Sequence, residues 1–239
     1  LEKLFCARDR FGEKPFYYYI DDNQFVFASE MKELWAYGIP KQLKEERVFE
    51  YIQSGIVENQ SNIEETYYKG INKLDASHSI VLTSSDELSI SKYWSLDGIE
   101  VNNTIPFAEA VEKYHDLFLE SIKYRLRSDV AVGSSLSGGL DSSSIVKVID
   151  ELKGEDHAQK VFSARFKNFE KDEGKYIEQV VKSCNNLQAF TTWPAEGSIL
   201  DIIEKVAFHQ EEPFGSSSIL AQWKVMELAK EHNVTVLLD

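Results

Sequence analysis

The sequence has little cysteine: two residues in 239, Cys6 and Cys184, far apart in the chain. So few thiols exclude a disulfide framework and a cysteine-based metal site, and they fit a reducing compartment. Cys6 lies within the apolar run Leu4-Phe5-Cys6-Ala7 and reads as a buried strand cysteine rather than a reactive thiol. A basic excess is also missing: 26 Lys and Arg stand against 40 Asp and Glu, a formal net charge of −14. A general nucleic-acid binder displaces counterions with a cationic face, so this balance excludes one. No apolar stretch approaches the roughly 20 residues of a membrane-spanning helix. The start, Leu1-Glu2-Lys3, has no signal-peptide pattern, and the cytoplasm is the expected location. The histidines (His78, His115, His157, His209 and His232) are scattered, and none pairs with Cys or carboxylates at metal-ligand spacing.

What is present suffices for one large domain or two modest ones, each with its own core. Residues 1–97 read as β-rich. Aromatic strands at 16–20 and 25–28 flank the polar turn Asp21-Asp22-Asn23-Gln24, a hairpin signal. A short helix is expected over 29–37, with Ser29 as cap and Met31, Leu34 and Trp35 on one face. A second strand–turn–strand signal covers 79–83, the turn 84–87 and 88–94. Residues 98–106 read as a linker. After it the periodicity changes: Phe107, Val111, Tyr114, Phe118, Ile122 and Leu126 mark an amphipathic helix with Thr104 as its cap. Strand and helix then alternate: strand 130–136, helix 142–152, strand 160–166, helix 173–184, strand 187–193, helices near 198–208 and 218–232, strand 234–238. Such alternation predicts a parallel sheet covered by helices on both faces, over 107–239. Glu170 to Glu173 reads as a charged turn.

Ligands of such sheets sit beyond the carboxyl ends of the strands. There the chain carries Ser137-Gly138-Gly139-Leu140-Asp141-Ser142-Ser143-Ser144 between a strand and a helix. Adjacent glycines let backbone N–H groups approach an anion, and the helix start adds its positive end and free N–H groups. Serine hydroxyls supply further donors, so the peptide can cradle phosphates. Asp141 would repel a phosphate directly but could ligate Mg2+ bridging the phosphates. A Gly-Lys-Ser/Thr triplet is absent, which excludes a Walker loop. The structural alternative is a serine/glycine turn that only caps a helix.

Asp129-Val130-Ala131-Val132-Gly133-Ser134-Ser135-Leu136 followed by that loop resembles the PP-loop ATP pyrophosphatases, and within them the glutamine-dependent asparagine synthetases. Further stretches resemble that family in order: Arg8-Asp9-Arg10-Phe11-Gly12-Glu13-Lys14-Pro15-Phe16-Tyr17-Tyr18, Phe27-Ala28-Ser29-Glu30-Met31-Lys32, Tyr93-Trp94, Phe162-Ser163-Ala164-Arg165-Phe166, Asp172-Glu173 and Glu212-Pro213-Phe214. The resemblance implies an α/β chain: the β-rich C-terminal half of an Ntn-type glutaminase sandwich over 1–97, then a Rossmann-like PP-loop domain. It implies ATP and Mg2+ as cofactors, small-molecule substrates (aspartate, glutamine or ammonia), and neither nucleic acid nor membrane as partner. It leaves a homodimer open. Ser137, Gly138, Gly139, Asp141, Ser142 and Ser143 would hold the pyrophosphate, with Asp141 on the metal, and Ser135 and Ala164 would line the adenine pocket. In the family a loop matching Glu212-Pro213-Phe214 faces the substrate pocket. The alternative for 211–218 is a loop capping the next helix through Ser216 or Ser217.

Three departures from the family pattern matter. Its glutaminase uses an N-terminal cysteine, expected before Leu1, so no catalytic residue is assignable here. Its Gly-x-Gly-x-Asp-Glu segment is expected after Asp239. Ser135 replaces an apolar residue, and Leu74-Asp75-Ala76-Ser77-His78 replaces Leu-Pro-Pro-Gly-His. The chain therefore reads as a fragment, inactive by itself. Rival readings keep the scaffold and change the acceptor (a β-lactam synthetase, a peptide cyclase, a surface-polysaccharide amidotransferase) or drop catalysis for a nucleotide-binding or regulatory module.

Overall fold

The structure is a computed structural model that describes residues 3–83, 87–153, 158–167, 170, 172–194 and 198–239, with 198–200 by backbone alone. The expected turns at 84–87 and 170–173 lie partly outside the described residues, at 84–86 and 171. The chain divides into two compact units. Unit one is Leu1–Val101 with Ala207–Gly215, and unit two is Asn102–Val206 with Ser216–Asp239.

Unit one holds β1 (Lys3–Ala7), β2 (Tyr17–Ile20), β3 (Phe25–Ala28), α1 (Met31–Tyr37), α2 (Glu45–Ser54), β4 (Ile71–Lys73), β5 (His78–Thr83) and β6 (Leu88–Lys92). They form two three-stranded antiparallel sheets, β1-β5-β6 and β3-β2-β4. The run Tyr17-Tyr18-Tyr19 shows why β2 is aromatic throughout. Strand alternation sends Tyr18 into a cluster with Cys6, Leu74 and Ile80 on one face. Tyr17 and Tyr19 go to the other face, against Met31, Leu34 and Ile71. Both faces of β2 are covered, so no polar alternation appears in its sequence. Asp21 fixes the expected hairpin by accepting the Asn23 and Gln24 N–H groups at 2.8 and 3.0 Å. Cys6 is buried on β1, opposite Ile80, and burial pushes its thiol pKa up.

Ser29 does not cap α1. The helix starts at Met31 with Glu30 as N-cap, and Glu30 makes no side-chain cap bond. The cap comes instead from Glu211, whose carboxylate accepts the Met31 and Lys32 N–H groups at 2.6 and 2.8 Å. Met31 and Leu34, each 0 % exposed, fasten the helix to the sheet, at about 1.5–3 kcal/mol per side chain.

Unit two holds α3 (Phe107–Arg125), β7 (Val132–Ser135), α4 (Leu140–Lys153), β8 (Gln159–Ala164), α5 (Gly174–Ser183), β9 (Leu187–Thr192), α6 (Ser198–Gln210, whose last residues belong to unit one), α7 (Ser218–Glu231) and β10 (Val236–Leu238). The four strands are parallel, in the order β10-β7-β8-β9. Val161 of β8 packs with Leu136, Val146 and Ile177 on the face of α4 and α5. Its neighbour Phe162 packs with Val225, Ala229 and Val234 on the face of α7. Thr104 does not cap α3; its N–H and hydroxyl both bond Asn102 Oδ1, and Pro106 holds the cap position. Only the C-terminal turns of α3, through Phe118, Leu119, Ile122 and Leu126, meet α4. Phe107 and Tyr114, on the same expected apolar face, are 85 and 69 % exposed. Among the described residues no helix is long and apolar enough to cross a membrane.

Candidate functional site

Strand β7 delivers the glycine loop to the carboxyl edge of the parallel sheet. Leu136 is buried there, its N–H bonded to Phe162 O at 2.9 Å and its carbonyl taken by the Ser163 hydroxyl at 2.6 Å. The next residue, Ser137, is exposed. The chain then reverses through Gly138 at φ +90°, a backbone region open to glycine. A Cβ at Gly138 would also lie 3.1 Å from the Glu173 carbonyl oxygen, so the bend packs closely on the start of α5. Helix α4 begins at Leu140, two residues before the expected start, which places Asp141 in its first turn. Serine hydroxyls tie the bend internally: Ser137 Oγ and Ser142 Oγ lie 3.0 Å apart, and Gly139 N–H donates to Ser137 Oγ at 3.2 Å. Ser142 Oγ also donates to Gly139 O at 3.4 Å. Ser143 N–H continues the helix ladder to Gly139 O. The exposed Asp141 carboxylate has no hydrogen bond or ion pair among the described residues.

Ser135 and Ala164 share a sheet face. Ser135 is in register with Phe162, whose ring and the Ala164 methyl both belong to the cluster under α7. The Ser135 hydroxyl is buried without a hydrogen-bond partner among the described residues. The rim beside the loop carries an ion-paired group. Arg165 donates through Nε and Nη2 to Asp172 Oδ2 at 3.2 and 2.9 Å, and through Nη1 to Glu178 at 3.2 Å. Asp172 in turn accepts Phe166 and Gly174 N–H. Its carboxyl is held below the usual range, chiefly by Arg165. The Arg165 guanidinium also lies 5.0 Å from the Trp193 ring, a cation–π contact.

Residues 113–239 match the family model described as asparagine synthase, which covers more than half of the chain. This chain belongs to the asparagine synthase family. Residues 1–94 match the glutamine amidotransferase domain model. Among similar proteins, a putative glutamine-hydrolysing asparagine synthetase 2 of Methanocaldococcus jannaschii is 34 % identical over 99 % of this chain and 45 % of its own length. Glutamine-hydrolysing asparagine synthetase 2 of Bacillus subtilis is 34 % identical over 75 % of this chain and 25 % of its own length. Glutamine-hydrolysing asparagine synthetase 1 of Bacillus subtilis is 26 % identical over 99 % of this chain and 36 % of its own length. The chain thus spans less than half the length of these relatives.

For an asparagine synthase, the fate of Glu211 and Glu212 is informative, because both carboxylates are engaged inside unit one. Glu211, at φ +62°, caps α1, pairs with Lys32 at 3.2 Å and offers its carbonyl to the Tyr68 hydroxyl at 2.9 Å. Glu212 accepts the Tyr67 N–H at 2.8 Å, and burial raises its carboxyl pKa. Phe214 O takes the Tyr51 hydroxyl at 3.2 Å. Both Glu211 oxygens and Glu212 Oε1 are thus committed to main-chain N–H groups. On the capping alternative, Ser216 Oγ accepts Ser218 N–H at 3.2 Å, whereas Ser217, at the N-cap, makes no side-chain cap bond. The sequence reading missed Gly174: a Cβ there would overlap the Arg165 guanidinium, so glycine lets the arginine lie in this position. No local pattern marks that role, because the partner lies one strand earlier.

Proposed function

We propose that the full-length protein makes asparagine: ATP adenylates the aspartate side-chain carboxylate with release of pyrophosphate, and ammonia from glutamine displaces AMP. In this reading unit one is the C-terminal half of an Ntn-type glutaminase sandwich, unit two is a Rossmann-like PP-loop domain, and the enzyme is cytoplasmic. One observation carries it: a positive-φ glycine bend at the carboxyl edge of a parallel sheet, followed by a helix whose first-turn carboxylate is unpaired among the described residues. A carboxylate is a poor electrophile, and adenylation gives it AMP as a leaving group. The Gly138 N–H and those of the α4 start, with the Ser143 hydroxyl and the Ser137 and Ser142 hydroxyls turned from their internal bonds to the ligand, would stabilise the negative charge that grows on departing pyrophosphate. Ser135 and Ala164 would border the adenine.

The metal fits the residues present. Among the described residues Asp141 has no hydrogen bond or ion pair, and no cluster of three or more His, Cys, Asp or Glu could cage an ion. That donor set suits Mg2+ shared with phosphate oxygens rather than a metal held by protein alone. When bound, Mg2+ would offset the phosphate charge, and Asp141 would hold it. The test is pyrophosphate release and asparagine formation by the full-length protein with aspartate, ATP and ammonia. Release should depend on aspartate and fall on the order of a hundredfold in Asp141→Asn. Release driven by a different acceptor, or none with aspartate, would overturn the assignment.

A further inference from the structure

The opposite edge of the parallel sheet carries a second feature, independent of the ATP reading. Where β7, β8 and β10 begin, Leu126, Val132, Ala158 and Val234 line a hollow of about 270 Å³ that also takes in Lys153 and Lys160. The two lysines differ. Lys160 is committed, its Nζ donating to the His232 carbonyl at 2.9 Å. Lys153, half-buried in the last turn of α4, has no hydrogen bond or ion pair among the described residues. The negative end of the helix keeps an ammonium favourable there, while burial lowers its pKa. Among the described residues this cation, set in an apolar wall, is a binding group without a counterpart.

We propose that this hollow is a binding site for a small aliphatic monocarboxylate, whose carboxylate pairs with Lys153 while its hydrocarbon body fills the space between Leu126, Val132 and Val234. Lys160 keeps its charge but spends a donor on the His232 carbonyl, so Lys153, whose donors are open among the described residues, is the group that meets a carboxylate. A dicarboxylate or a phosphate would press a second charge against the valine and leucine walls. Pairing the ammonium also favours its charged form, so binding draws a proton from solution at alkaline pH.

Acetate, butyrate and hexanoate, titrated into the full-length protein by calorimetry in buffers of different ionisation enthalpy, provide the test. Affinity should rise about fourfold per added methylene until the hollow is full, with net proton uptake, and hexylamine should not bind. Lys153→Met should weaken hexanoate at least about tenfold, the scale of losing a charge-assisted hydrogen bond. Lys153→Arg, which keeps the charge, should retain binding and guards against a variant that merely misfolds. Equal hexanoate affinity in wild type and Lys153→Met, affinity independent of chain length, or no carboxylate binding by the wild type would overturn the site.

Discussion

Glu211→Ala should loosen the start of α1 although the residue lies far outside the helix in sequence. The helix has seven residues, too few to be stable alone, and its own N-cap residue gives no side-chain bond. The Glu211 carboxylate, 4 % exposed, accepts two successive N–H groups at 2.6 and 2.8 Å and pairs with Lys32 at 3.2 Å. Alanine leaves both N–H groups unsatisfied and leaves Lys32 with Glu30 as its remaining carboxylate partner. A hydrogen bond to a charged group contributes about 1.5–3 kcal/mol, and a lost cap costs about 0.5–2 kcal/mol. The two N–H groups share one carboxylate, so these effects overlap and amount to about 3 kcal/mol in the opening of α1. That corresponds to about a hundredfold faster amide exchange at Met31 and Lys32. Hydrogen exchange on the full-length protein reads it directly. Glu211→Gln keeps one acceptor oxygen and should fall between, near tenfold. Exchange within about threefold of wild type in Glu211→Ala would refute the distant cap.

Glu212→Gln tests the buried neighbour through pH. Burial raises the Glu212 carboxyl above its ordinary 4.5, so between 4.5 and the raised value the folded state holds a proton that the unfolded chain has released. Wild-type stability then falls as pH rises through that window, and the Gln variant should gain on it at about pH 8, with the gain vanishing below 4.5; a pH-independent difference in urea unfolding would contradict this. Gly138→Ala should cost about 1–2 kcal/mol for its left-handed backbone and weaken ATP binding together with thermal stability; calorimetry showing unchanged affinity would oppose the role of the bend. Gly174→Ala should displace the Arg165 guanidinium from Asp172 and Trp193, and a fluorine-labelled Trp193 resonance that stays in place would contradict the overlap.

Asp21 and the loop over 137–143 were legible in the sequence because their partners lie within a few residues. A turn or a glycine bend is a local object, and its geometry is written in one peptide. The aromatic strands were equally plain, since Tyr17, Tyr18 and Tyr19 each find a packed face. The caps were not legible. Ser29 and Thr104 satisfied the local pattern, but the N–H groups of α1 are taken by a residue 180 positions away, and Asn102 competes for the Thr104 hydroxyl. Helix α2 was overlooked although Glu45 and Glu46 open it and Gly55 closes it in the left-handed region. The three-residue β4 has too few positions for any period to show. The face of α3 was read correctly as apolar, yet periodicity gives a direction and not the extent of the partner, and α4 reaches only its last turns.

The sequence order of unit one has a practical consequence. Its final piece, Ala207–Gly215, is encoded more than a hundred residues after the rest, behind most of unit two. A gene cut in the linker would yield a β-rich product whose first helix opens without Glu211 and whose Tyr51, Tyr67 and Tyr68 face water where backbone and carboxylate should meet them. Dissecting the protein into halves therefore calls for grafting that short peptide back, or supplying it in trans, rather than choosing a better cleavage point.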